Sequence, residues 1–280
     1  MKDLKSAIDE QQPVIVVKLG GTEGLDFTAI CQDVAQLAGR GVPLVLVHGG
    51  SAEANHLGEA LGYPPRFITS PSGFTSRYTD RRTLEIFAMA VNGKLNTLLV
   101  EQLQGLGVNA LGLSGLDGRL LQATRKEAIQ SVEGGKRKMV RDDYTGKIER
   151  ADARLLWALL HGGYTPVIAP LAAGQAGEAL NVDADRAAAM VAGTLQAGTL
   201  VLLTAVPGLL RAFPDESTLI CSLPRQRLPE ALELAGGRMK KKILGAEEAL
   251  NGGAGRVVIA DGRVAAPITN ALDGKGTVIL

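Results

Sequence analysis

The sequence predicts an α/β protein, a three-layer αβα sandwich on a mainly parallel open sheet, in two lobes. Short β-branched runs alternate with helical stripes along almost the whole chain. Two of those runs, 14–21 (VIVVKLGG) and 43–50 (PLVLVHGG), end in paired glycines, as strand-to-helix turns at one edge of a parallel sheet do. Glycine supplies 35 of the 280 residues and hydrophobic residues 46%, a composition suited to many tight turns around a sizeable core.

Several function classes are disfavoured by the same numbers. A net charge of +1 gives nucleic acid no obvious reason to bind. No apolar run is long enough to span a bilayer, and the N-terminal MKDLKSAIDEQQP lacks an apolar signal core, so a cytoplasmic location is expected. Cys31 and Cys221 stand far apart, and His48, His56 and His161 form no ligand spacing, so no protein-bound metal is expected.

Residues 1–12 read as a short polar helix or a frayed arm, and the strand at 14–19 follows. Its odd member is Lys18. A cation at the C-terminal end of a buried parallel strand is costly unless an anion meets it, and Gly20 and Gly21 offer bare backbone N–H groups to that anion. Phosphate is the expected guest; the alternative is a lysine reaching back to water beside an ordinary turn. A helix at 26–39 carries Ile30, Val34, Leu37 and Ala38 on one stripe. The second strand, 43–47, leads through His48-Gly49-Gly50-Ser51 into a helix at 52–61, and both glycine loops should share one sheet edge.

Loop and short strand fill 63–82. Thr79-Asp80 then caps a helix from 81 to about 104, with Leu84, Phe87, Ala88, Val91, Leu95, Leu98, Leu99 and Leu103 at helical spacing. That is more apolar surface than one sheet face needs, which points to a dimer contact. A third strand lies in 108–118, and 119–150 reads as hairpins. Within it, residues 125–150 hold eight basic and five acidic residues, a net of +3. A helix at 151–161, a strand at 165–169, a helix opening at EALNVDAD (178–185) and running to about 197, and a strand at 200–204 come next. A helix at 236–250 and strands at 257–260 and 277–280 close the sheet. The seam between lobes is expected near 170–180, giving halves 1–175 and 176–280.

Helix geometry separates three adjacent lysines. Met239, Ile243, Ala246 and Leu250 form the apolar stripe of their helix, and Lys242 falls on it, three after 239 and four before 246. Lys240 and Lys241 fall off it, to reach a ligand from the rim or to be solvated, the latter suiting Lys241 best. Asn181 or Asp183 is placed to cap the preceding helix. A carboxylate at Asp185 between Lys18 and Lys242 would keep both ammonium groups charged and aimed. With no Ser-His-Asp, Cys-His or paired-carboxylate set competing, phosphoryl transfer is the chemistry these parts suit.

VVKLGG, VHGGS, ALNVDAD, TAVPGL and the lysine helix, in that order, resemble the amino acid kinase family, and within it the acetylglutamate kinase group, over nearly the whole chain. The resemblance implies transfer of the ATP γ-phosphate, with Mg2+ carried by the nucleotide, to a substrate carboxylate. It implies that Lys18 and Lys242 stabilise the transferring group and Asp185 orders them. It also implies that Gly49, Gly50, Arg77 and Asn181 bind the acceptor, in an N-terminal half that also dimerises. Gly20, Gly21, Thr204, Val206, Pro207, Gly208, Leu209 and Lys240 would serve the nucleotide, held mainly by the C-terminal half. The family usually writes Gly-Gly-Met-x-x-Lys, whereas Arg238 intervenes here between Gly237 and Met239; counting from the methionine still reaches Lys242. SRYTDRRTLE, GLSGLDGRL, DYTGKIE and VPGLLRAFPDESTLI look like the LysW-aminoadipate kinases, whose acceptor is attached to a small acidic carrier protein. A basic hairpin segment would steer such a carrier, though it also reads as an ordinary solvated hairpin. Aminoadipate and glutamate both stay open as acceptors, as do free N-acetylglutamate and, in a different class, a non-catalytic amino acid sensor.

Overall fold

The computed structural model describes residues 12–21, 25, 27–70, 75–125, 128–133 and 136–280. Residues 1–11 of the arm expected at 1–12, the helix start at Asp26 and the glycine pair 134–135 lie outside the described residues. The first half of the chain contributes β1 (Ile15–Leu19), α1 (Phe27–Gly39), β2 (Leu44–His48), α2 (Ser51–Ala60), β3 (Phe67–Thr69), β4 (Thr75–Arg77), α3 (Arg81–Ala88) and α4 (Thr97–Gly105). After these come β5 (Ala110–Gly115), β6 (Leu121–Arg125), β7 (Ile129–Glu133), β8 (Lys136–Val140), β9 (Gly146–Ala151), α5 (Ala153–His161) and β10 (Thr165–Ala173). The remainder is β11 (Ala179–Asn181), α6 (Ala184–Leu195), β12 (Thr199–Thr204), β13 (Ser222–Leu223), α7 (Leu228–Leu234), α8 (Gly237–Asn251), β14 (Val257–Asp261), α9 (Pro267–Leu272) and β15 (Thr277–Ile279).

One large sheet runs β13-β15-β14-β12-β1-β2-β10-β6-β9, with β5 and β11 also paired to β10. Its central pairs, β14–β12–β1–β2–β10–β5, are all parallel, so the C-terminal ends of β1, β2 and β12 meet at one edge. Strand parity builds the layers. Val14 just before β1 and Val16 within it, with Leu200 and Leu202, enter a core shared with α5, α6 and α8. Ile15, Val17 and Leu19, with Val201 and Leu203, enter another shared with α1, α4 and α9. Buried on both faces, these strands read as continuous apolar runs because alternate residues serve opposite cores. Among the described residues, no helix is long and apolar enough to cross a membrane.

The long helix at 81–105 departs from the expected stripe. Its middle, Met89–Asn96, is a π-helical segment joining α3 to α4. Val91 and Asn96 are both buried, five positions apart where a regular helix would bring the stripe back after three or four. The slip turns Leu98 outward, 49% exposed, while Leu99 and Leu103 stay in the core. Two further expectations are corrected. The strand begun at Thr165 continues to Ala173 and folds back as β11, the turn held by the Gly174 N–H on the Glu178 carbonyl. Consequently the next helix starts at Ala184, not at 178. Strand β11 is three residues long, too short to show a period.

Asp33 is the buried carboxylate of α1. Its Oδ2 accepts from the Ile268 and Thr269 N–H groups at 2.6 and 2.9 Å, and its Oδ1 from the Thr269 hydroxyl. It thereby caps α9 from a helix more than 230 positions away in sequence. Asp33→Ala would leave those donors without their acceptor, so we expect a loss of about 2–4 kcal/mol of unfolding free energy, measured by urea denaturation.

Candidate active site

At the C-terminal end of β1, Lys18 has the same parity as Val16 and therefore faces α6 rather than α1. Asp183 caps α6, its Oδ1 accepting from the Asp185 and Arg186 N–H groups. This places Asp185 in the first turn, where the helix dipole favours a carboxylate. Lys242 comes from α8, which lies close enough to α6 that a Cβ on Gly245 would sit 3.3 Å from the Asp185 carbonyl. The three side chains meet: Lys18 Nζ lies 2.8 Å from Asp185 Oδ1, and Lys242 Nζ donates to both carboxylate oxygens at 3.1 and 3.2 Å. Each side chain is less than a tenth exposed.

The charges in this cluster do not cancel. Burial would push the Asp185 carboxyl up, but two adjacent ammonium groups hold it well below its usual range. Burial would also lower Lys18, an effect that Asp185 overrides, so its pKa stands above the ordinary lysine value. Lys242 shares the same carboxylate and faces Lys18; burial first, then that repulsion, push it down to about 8. Two cations on one anion leave a buried excess of one positive charge, which an anion arriving at the sheet edge would neutralise.

Beside Lys18 the two glycine loops interlock. A Cβ on Gly21 would lie 2.3 Å from the Gly50 nitrogen, and one on Gly49 would lie 2.8 Å from the Gly21 nitrogen. Neither position has room for any other residue. The Gly49 N–H donates to the Leu19 carbonyl at 2.9 Å, and the residue supplies the close approach of the two loops. Gly50 stands at the N-terminus of α2. Gly20 is pressed against Leu25, whose Cδ1 would be 2.9 Å from an added Cβ.

The four residues expected to bind an acceptor, Gly49, Gly50, Arg77 and Asn181, line one cavity of about 460 Å³. It extends to Asp183 and Lys241, neighbours of the central cluster. Arg77 is held by the Ser51 carbonyl and Asn55 Oδ1, and its guanidinium lies 5.4 Å from the Phe67 ring centroid. Asn181 Nδ2 donates to Thr79 Oγ1 at 3.0 Å.

The residues expected beside a nucleotide are more dispersed. Thr204 ends β12 at the same edge as Lys18, its carbonyl accepting from the Gly262 N–H, and Val206 and Pro207 follow half-buried. Gly208 and Leu209 are packed inward: a Cβ on Gly208 would meet Thr277 Oγ1 at 2.6 Å, and the Leu209 N–H donates to the same oxygen. Lys240 is half-buried in the first turns of α8, just after Gly237, whose φ of +50° makes the bend into that helix. Lys241 is not simply solvated; it forms an ion pair with Asp183 Oδ2 at 3.4 Å. Among the described residues, no group of three or more His, Cys, Asp or Glu side chains is gathered closely enough to hold a metal ion.

Sequence reasoning passed over His48 and Asn96. With the parity of Leu46, His48 points away from Lys18's face; its Nδ1–H donates to the Gly49 carbonyl at 2.9 Å, and its Nε2 accepts from Asn96 Nδ2 at 3.1 Å. Asn96 Nδ2 also donates to the Val167 carbonyl. The signal available was an asparagine three before Leu99 and seven before Leu103, a polar residue on an apolar stripe. Burial pushes the imidazole down to about 4, and the Lys18 ammonium adds to that against the Gly49 contact.

Residues 13–261 match the model of the amino acid kinase family. A protein of Deinococcus radiodurans named LysW-aminoadipate kinase is 55% identical over 266 residues, covering 95% of this chain and 91% of its own. An acetylglutamate kinase of Methanopyrus kandleri is 38% identical over 266 residues, covering 94% and 99%. A carbamate kinase from Giardia lamblia, solved with AMP-PNP, superposes with a TM-score of 0.68 at 15% identity over 97% of this chain and 99% of its own, which speaks for the fold.

Because the folded His48 takes its proton near pH 4 and an unfolded histidine near 6.5, the unfolded chain binds the extra proton between those values. Stability therefore falls as pH drops through this window, by roughly 3 kcal/mol for the full span. His48→Gln should flatten that fall, measured by urea denaturation at pH 6.5 and 4.5.

Proposed function

This chain belongs to the amino acid kinase family, and on that premise we propose that it transfers the γ-phosphoryl group of ATP to the side-chain carboxylate of a 2-aminoadipate linked through its amino group to a LysW carrier, in lysine biosynthesis. The observation that carries the reading is the buried Lys18–Asp185–Lys242 cluster with its uncancelled positive charge. A carboxylate oxygen of the acceptor attacks the γ-phosphorus, the bond from that phosphorus to the bridging oxygen breaks, and its electron pair leaves on ADP. Charge builds on the equatorial and leaving oxygens, and preorganised ammonium groups stabilise it without reorganisation. Lys18 and Lys242 perform that role, and Asp185 keeps both aimed. Mg2+ carried with the nucleotide would supply further neutralisation of the phosphate charge.

Residues 1–175 supply most of the acceptor site, with Asn181 joining from the C-terminal half, and 176–280 most of the nucleotide site, with Gly20 and Gly21 joining from the N-terminal half. Gly50, Arg77 and Asn181 receive the acceptor in their shared cavity, and Gly20, Gly21, Thr204, Val206, Pro207 and Lys240 border the nucleotide. The carrier is the acidic partner that the basic surface suits. Exposed Arg66 and Arg141, with Met139 and Tyr78, line a second cavity of about 390 Å³ that shares Ile68 with the acceptor cavity. Not every charge of the basic segment is free for this: Arg125 covers the Tyr144 ring at 3.7 Å and donates to the Asp143 carbonyl. A homodimer would form through the helix at 81–105, whose Met89 and Leu98 are 45% and 49% exposed. Free N-acetylglutamate is the runner-up acceptor, and the intact lysine–aspartate cluster stands against a non-catalytic sensor.

Turnover on carrier-linked aminoadipate compared with free N-acetylglutamate tests the reading; efficient use of the free compound alone would overturn the carrier assignment. Lys18→Ala and Lys242→Ala should each lower kcat by roughly 10²–10³-fold with unchanged circular dichroism, and near-normal rates in either would remove the catalytic assignment. Because Lys242 is pushed down to about 8 in the free protein, kcat/KM for ATP should decline as pH rises through about 8, measured in a pH series from 6 to 9.5.

A further inference from the structure

Thr79 is fully buried and carries more of the acceptor cavity's geometry than its place in a turn suggests. Its hydroxyl donates to the Arg77 carbonyl at 3.2 Å and accepts from Asn181 Nδ2 at 3.0 Å. A carbonyl can only accept and an amide nitrogen can only donate, so the hydroxyl hydrogen has one direction available and both contacts are made at once. The backbone of the same residue is also tied at both ends. Its N–H donates to Asp143 Oδ2 at 3.1 Å, and its carbonyl accepts from the Tyr144 N–H at 2.6 Å. Tyr144 in turn accepts from the Asn181 N–H at 2.9 Å, closing a ring of hydrogen bonds from Thr79 through Tyr144 and Asn181 back to Thr79. Asp143, also fully buried, braces that ring by accepting from the Thr145 N–H at 2.7 Å.

We propose that Thr79 is a positioning residue for the acceptor: its hydroxyl sets the distance and orientation between Arg77 and Asn181, which reach the same cavity from β4 and β11. The inference rests on reading that cavity as the acceptor site. The two residues come from segments more than 100 positions apart, and among the described residues no strand ladder pairs β4 with β11; β4 pairs with β3, and β11 with β10. Among the described contacts, the Thr79 hydroxyl is the atom that touches both. Losing it would let the turn and β11 drift by a fraction of an ångström. Two groups that must grip one acceptor from separate segments tolerate that poorly, while the lysine–aspartate cluster on α6 and α8 would stay in place.

Thr79→Val keeps the side-chain shape and removes the hydroxyl; Thr79→Ser keeps the hydroxyl and removes a methyl. For Thr79→Val we expect the KM for the carrier-linked acceptor to rise about tenfold, the value of a lost pair of buried hydrogen bonds, with the KM for ATP within twofold of the parent. Thr79→Ser should return the acceptor KM to within about threefold. An unchanged acceptor KM in Thr79→Val, a parallel rise in both KM values, or no recovery in Thr79→Ser would each overturn the proposal. Thr79→Ala provides the same comparison should the valine variant fail to fold. Loss of fold in both, with Thr79→Ser folding normally, would make Thr79 a structural residue and also refute the inference. If the parent enzyme turns over no carrier-linked acceptor, it is the proposed function that fails, which the parent alone reveals.

Discussion

One carboxylate held between two buried ammonium groups is the constraint from which the rest of the site follows. Taking three charges out of water is costly, and the cost is met only where the geometry is good and the partners are hydrogen-bonded. Here the distances are 2.8 to 3.2 Å, yet the sum is still one positive charge. That residue of charge would favour an anion at the sheet edge, and it sets the two lysines apart: Lys18 stays firmly charged, while Lys242 is the cation more easily relieved of its proton.

Holding such a cluster requires elements from distant parts of the chain to arrive at fixed angles. The parallel core of the sheet does this by bringing the ends of β1, β2 and β12 to one edge, and strand parity then sorts the side chains. Lys18 faces α6 and α8, while His48 on the neighbouring strand faces the π-helical segment and Asn96. The two residues sit one register step apart, with Leu19 opposite His48, yet they serve opposite faces. A neutral imidazole between a glycine carbonyl and an asparagine amide is the arrangement least disturbing to a lysine kept charged nearby. The glycine loops have a different reason to exist: each occupies space that a Cβ on the other would need.

The cavity between Arg77 and Asn181 is organised by hydrogen bonds rather than by charge pairing. Thr79, Tyr144 and Asn181, from three separate segments, form a closed ring of two backbone hydrogen bonds and one side-chain bond, with the Arg77 carbonyl and the Asp143 carboxylate tied to it. The basic surface beyond it draws partly on the same residues, since Arg125 spends its guanidinium on Tyr144 and Asp143.

How much of this could be read in advance follows from the range of each interaction. The alternation of strands and helices, the inward turn of Lys242 and the paired glycines are written within a dozen residues each, because helical and strand periods are local. Motif order carried the family likeness for the same reason. The π-helical slip that exposes Leu98, the hairpin at β11, the cap that Asp33 places on α9 and the bond between Thr79 and Asn181 left no local period, since each depends on a partner far along the chain. By itself the sequence determined the fold class and the lysine–aspartate set. Only the tertiary structure decided which N–H groups are already spent, how far the charges cancel and what holds Arg77 and Asn181 in one cavity, because those depend on which distant atoms come within about 3 Å of each other.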